Sequence, residues 1–135
     1  LAACSTSLRV ELANRSGNAF VLEVTGATPV TIQPEGTGSF TYSSVAILTI
    51  RAGTACWAYR MPRELASSHD RHFVRPEGFM GRVARMELGK NGSVQLLTPE
   101  EDSTRVSPRQ PRGFPVRPNA CDKLEYALAR IPPGR

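Results

Sequence analysis

A chain of 135 residues, 40% hydrophobic and 21% charged, is long enough to bury a core without a metal or cofactor and too apolar to be a disordered linker. Its net charge of +5 comes almost wholly from arginine, with lysine only at positions 90 and 123. Those basic residues are scattered rather than interleaved with aromatics, which argues against nucleic acid as a partner.

Leu8, Val10 and Leu12 alternate with Arg9, Glu11 and Ala13, the period of a half-buried strand. Phe20, Leu22 and Val24 repeat the pattern after the turn residues Asn14–Asn18, so the two segments are predicted to form a hairpin. Val30 and Ile32 mark a short strand that Pro34-Glu35-Gly36 ends. Ser39–Ser43, with Phe40 and Tyr42 in alternation, leads into the densest β-branched and aromatic run of the chain. That run, Ser44–Ile50 followed by Thr54–Arg60, is predicted to be a central hairpin turning at Ala52-Gly53. Its first half is apolar on both faces, as in a strand covered on both sides. In the second half Cys56, Ala58 and Arg60 face one way, Trp57 and Tyr59 the other. Trp57 and Tyr59, with Phe40 and Tyr42, are the residues from which a glycan- or ligand-binding aromatic face would be made, and the same spacing suits a core.

Alternation lapses from Met61 to Gly78. Pro62–Ala66 has the composition of a single helical turn, and Ser67–Gly78 reads as a polar loop. This loop holds the only histidines, His69 and His72. A metal site or a hydrolase site would be built around them, but neither a His-Glu-x-x-His nor a Gly-x-Ser-x-Gly motif is present. The two imidazoles therefore read as surface residues, and no metal or cofactor is expected. Arg82–Leu88, the turn Gly89-Lys90-Asn91-Gly92 and Ser93–Leu97 carry the clearest hairpin signal. Residues 99–119 read as an extended arm: prolines at 99, 108, 111, 115 and 118 interleave with Arg105, Arg109, Arg112 and Arg117, a pattern that favours polyproline II. Glu100, Glu101 and Asp102 lack the apolar surroundings that a catalytic carboxylate pair needs. The end, Asp122–Ile131, is predicted to be a helix with Leu124, Leu128 and Ile131 on one face, Asn119 or Asp122 as its cap, and Pro132-Pro133-Gly134 as its stop.

The fold expected is mainly β: a single antiparallel β-sandwich of about eight short strands over residues 8–98, the arm over 99–119, and a short C-terminal helix within 120–135 packed on the core.

The opening Leu1-Ala2-Ala3-Cys4 resembles the lipobox of bacterial lipoproteins, in which a signal peptidase cuts before a cysteine that then carries diacylglycerol. The resemblance implies lipid attachment at Cys4 and a tether over residues 1–7. Ser5 rather than aspartate after that cysteine implies the periplasmic face of the outer membrane. With Cys4 lipidated, Cys56 and Cys121 remain as a disulfide pair for an oxidising compartment, the alternative being two free thiols. Three functions follow as expectations. The first is a non-enzymatic envelope lipoprotein that binds a protein partner, such as an accessory subunit of a surface or secretion assembly, using the arginines of the arm. The second is a glycan or small-ligand module using the aromatic face. The third is an envelope hydrolase, or a hydrolase inhibitor, with the His69–His72 loop at its site.

Overall fold

The computed structural model describes residues 7–43, 46–61, 73–79, 81–99, 104–118 and 120–131. Alternating apolar residues become the strands β1 (Leu8–Asn14), β2 (Phe20–Val24), β3 (Val30–Ile32), β4 (Thr37–Tyr42), β5 (Ala46–Ala52), β6 (Ala55–Met61), β7 (Val74–Glu77), β8 (Gly81–Leu88), β9 (Val94–Leu97) and β10 (Arg105–Val106). A 3₁₀ turn over Cys121–Lys123 then runs into the helix α1 (Leu124–Ala129).

Two sheets stack face to face. One has the order β10-β9-β8-β1-β4, with β7 also paired to β8; the other has the order β3-β2-β5-β6. Period-2 side-chain alternation sends Leu8, Val10 and Leu12 from β1, Met86 and Leu88 from β8, and Leu48 and Ile50 from β5 into one shared core. The expected β-sandwich with a single short C-terminal helix is therefore the architecture observed, but its wiring differs from expectation.

β1 and β2 do not form a hairpin. β1 pairs with β4 and β8, and β2 with β3 and β5, so residues 15–19 arch from one sheet to the other. Asn14, 0% exposed, pins the arch. Its Nδ2 donates to the carbonyls of Asn18 (2.8 Å) and Ile32 (3.1 Å), while its Oδ1 accepts from the Ser16 backbone N–H (2.9 Å) and hydroxyl (2.6 Å). Those bonds tie the end of β1 both to the arch and to the end of β3.

The β1–β8 ladder is parallel, Arg9 opposite Val83 through Asn14 opposite Leu88, so the first sheet is mixed rather than antiparallel throughout. Val74–Glu77, expected as loop, is a strand antiparallel to the first half of β8, and β9 takes the second half. The central hairpin does form, with Ala52 opposite Ala55, so it turns at Gly53-Thr54, one residue later than predicted. Gly53 has φ 61°, the first-position geometry of a type II′ turn, which glycine adopts without strain.

The C-terminal segment is the largest departure. Rather than a loose arm, it adds β10 to β9 and then crosses to the outer face of β5 and β6. There Val116 and Leu124 pack with Cys56 and Ala58 in a second apolar cluster that also takes in Ile47, Leu128 and Ile131. Leu124, Leu128 and Ile131 do share the face that packs down, as their spacing predicted. The helix itself is six residues long and has no side-chain cap, so Asp122 lies beside its start without capping it. The expected cap Asn119, the proline stop and the Pro62–Ala66 turn lie outside the described residues.

Candidate binding surfaces

β6 is an edge strand of its sheet, and an edge strand exposes alternate backbone N–H and C=O groups to any extended partner. Here the C-terminal segment covers that edge at three successive outward positions. The Arg60 N–H donates to Gln110 Oε1 (2.9 Å), and Gln110 Nε2 donates back to the Arg60 carbonyl (2.8 Å), so a side-chain amide does the work of a neighbouring strand. Two residues along, the Ala58 and Val116 backbones exchange N–H···O bonds of 2.9 and 2.8 Å. Two further along, Cys56 is joined to Cys121 by a disulfide. At about 3.4 Å per residue the three ties span roughly 14 Å of the edge.

Ordering the segment along this edge sets the backbone positions of its arginines. Arg105 turns to the first sheet, where its Nε reaches Glu87 (2.8 Å), so it leaves the set of binding candidates. Its guanidinium is held charged above its ordinary range by that contact. Arg109, Arg112 and Arg117 are exposed and flank Gln110 and Val116. With the half-buried Arg60 they form a strip in which no residue has a carboxylate within ion-pair distance among the described residues.

The glutamates on the strands are used elsewhere. On the outer face of the first sheet, Glu11 contacts Arg9 (3.1 Å) and Arg85 (3.4 Å), Glu87 contacts Arg105 and Arg15, and Glu77 contacts Arg9. The Arg9 guanidinium bonds Glu77 and holds its carboxyl below the usual carboxylate range. Glu23 pairs with Arg51 (3.0 Å) on the other sheet. One face thus largely neutralises itself, while Arg60, Arg109, Arg112 and Arg117 along the sealed edge, like Lys90 and Lys123 elsewhere, have no salt bridge among the described residues.

Most of the aromatic face is spent on packing. Tyr59 is buried and its hydroxyl donates to the Gly92 carbonyl (2.8 Å). Trp57 packs against the main core, and its ring lies so close to Gly92 that a Cβ there would overlap it. Phe40 and Tyr42 are likewise core residues. Tyr59 therefore fills the sandwich and Trp57 packs partly buried against it, the alternative that their spacing had left open. A shallow hollow of about 10 Å³ lies between β7 and β9, lined by Phe73, Arg75, Val83, Arg85, Leu97 and Pro99; it is far smaller than the roughly 300–1,000 Å³ of ligand pockets. Cys4, His69 and His72 lie outside the described residues.

Sequence reasoning found three of the strip's four arginines but missed Arg60 and the anchoring role of Gln110. The signal for Arg60 was its phase: it shares the outward face of β6 with Cys56 and Ala58. Comparison with protein-family models, with curated proteins and with solved structures finds no match to this chain.

Proposed function

We propose that the protein is a non-enzymatic lipoprotein of the bacterial cell envelope, tethered through Cys4 at the periplasmic face of the outer membrane, that binds an acidic surface of a protein partner. The observation that carries the reading is the ordered strip of Arg60, Arg109, Arg112 and Arg117, fixed along β6 without acidic partners among the described residues. An arginine on an ordered backbone loses less freedom on binding than one on a mobile arm, and its planar fork bonds carboxylates bidentately. The Cys56–Cys121 bridge supports an oxidising compartment, and Leu1-Ala2-Ala3-Cys4 supports the anchor. Among the described residues no helix is long and apolar enough to cross a membrane.

Replacing Arg109, Arg112 and Arg117 together with serine is expected to weaken partner capture from envelope extract about tenfold or more, and rising salt should weaken capture by the unchanged protein. Folding stability should move by no more than about 0.5 kcal/mol, since these side chains are exposed. Equal capture by both proteins at all salt concentrations would remove the strip from the reading. The anchor is tested separately: Cys4→Ser, expressed with a complete signal sequence, should move from the membrane to the soluble fraction. Retention in the membrane fraction would overturn lipid attachment.

A further inference from the structure

The molecule protects its sheet edges unequally. The β6 edge is covered by the C-terminal segment, and β9 is covered by β10, whose Arg105 is paired with Glu87. β3 is three residues long and lies between Pro29 and Pro34, two ordinary ways of blunting an edge. β4 has none of these devices. Its six residues, Thr37-Gly38-Ser39-Phe40-Thr41-Tyr42, carry no charge and no proline, and among the described residues the strand pairs only with β1.

The direction of its free backbone groups follows from the register. The Asn14 N–H bonds the Gly36 carbonyl and the Arg15 N–H bonds the Leu88 carbonyl, so even residues of β1 address β4 and odd ones address β8. Opposite Leu8, Val10 and Leu12 stand Tyr42, Phe40 and Gly38, which therefore spend their backbone groups on β1. Thr37, Ser39 and Thr41 turn theirs to the open edge, and their side chains are exposed on the outer face.

We propose that this edge is a dimerisation surface, with β4 pairing antiparallel to β4 of a second copy about a two-fold axis at Ser39. Ser39 then faces its own equivalent, and Thr37 faces Thr41 of the other copy on each side of it. All three pairs fall on positions whose N–H and C=O are free among the described residues, so six backbone hydrogen bonds form with no change of register. The side chains agree with the backbone. Hydroxyls meet hydroxyls on the outer face, a favourable cross-strand pairing. On the inner face each Phe40 meets Gly38 of the other copy, over which that copy's own Ile32 side chain lies, so the contact there is apolar. No charge meets a like charge, which matters for two copies each carrying +5. The interface is isologous and closes at two copies. It lies away from the arginine strip: β4 neighbours β3, whereas β6 sits against the β8–β9 turn through Trp57 and Gly92.

The test is sedimentation of the disulfide-intact protein from micromolar to millimolar concentration. The unchanged protein should pass from monomer to dimer. Ser39→Lys places two ammonium groups directly opposite each other and should raise the dimer dissociation constant about a hundredfold or more; Ser39→Glu should do the same. Ser39 is exposed, so both variants should keep the unchanged circular dichroism spectrum. An equimolar mixture of the two should recover dimers, because lysine then faces glutamate. An unchanged protein that stays monomeric, a dimer that survives Ser39→Lys, or two variants that fail to recombine would each overturn the proposal.

Discussion

Replacing Asn14 with aspartate is expected to cost the fold about 3 kcal/mol or more, although it exchanges one atom for another. Asn14 is completely buried, and its amide nitrogen faces the carbonyls of Asn18, Ile32 and Gln33 at 2.8–3.2 Å. Aspartate offers no donor there and sets an oxygen against three others. Each buried group left unsatisfied costs about 1–3 kcal/mol, and an uncompensated charge costs more. Asn14→Ala should cost less, about 1–3 kcal/mol, because it brings in no charge and the Asn18 and Gln33 carbonyls keep the Ser16 hydroxyl (3.0 Å) and the Gly36 N–H (2.9 Å) as donors. The measurement is urea denaturation, in which the midpoint should drop while the slope stays constant. A loss below about 1 kcal/mol, less than the cost of one stranded buried group, would mean that the arch does not depend on this side chain.

Removing the disulfide with Cys56→Ser and Cys121→Ser should have a comparable or larger effect. The bridge closes a loop with a sequence separation of 65, for which chain entropy gives about 4 kcal/mol. A domain of this size has only about 5–15 kcal/mol of stability in all, so the melting temperature should fall by roughly 15 °C. The effect should also be local. Without the tie at Cys56 the segment across β6 is held only by Gln110, the Val116 bridge and the apolar contacts of α1. The Ala58 and Arg60 amides should then exchange with solvent far faster than those in β1. Uniform exchange across both strands would show that the bridge stabilises the whole sandwich and not this edge.

What could be read from the sequence was strand phase. The alternation in residues 8–12, 20–24 and 82–88 and the turn residues at 53 and 89–92 are local signals, and the core residues and two hairpins follow from them. Partner choice was not legible, because a period of two says which face is buried and not which strand lies alongside. Hence β1 and β2 looked like a hairpin, although Asn14 makes them an arch, and nothing local announced that β1 would lie parallel to β8. β7 was missed because Pro76 interrupts it; proline is tolerated there because, among the described residues, β7 pairs on one side only, with β8. The arm was misread for a related reason. Prolines do bar it from a regular ladder, but Gln110 bonds β6 through its side chain, which periodicity cannot detect. The separation of Arg105 from Arg109, Arg112 and Arg117 depended on where Glu87 lies in space, 18 residues back in the chain.

The parallel ladder between β1 and β8 has a consequence for the order in which the chain folds. Arg9 and Val83, partners in that ladder, are 74 residues apart, whereas the β5–β6 and β8–β9 hairpins close over a few. Closing the long loop costs about 2 kcal/mol more in entropy than closing a hairpin, so the hairpins form early and β1 is completed late. The two hairpins have their edge residues in contact through Trp57 and Gly92, which makes them a natural nucleus. The first strand of the chain is thus among the last to be locked in. Until β8 is made and in place, one side of β1 has no partner, and the protein belongs with the slower-folding, high-contact-order β topologies.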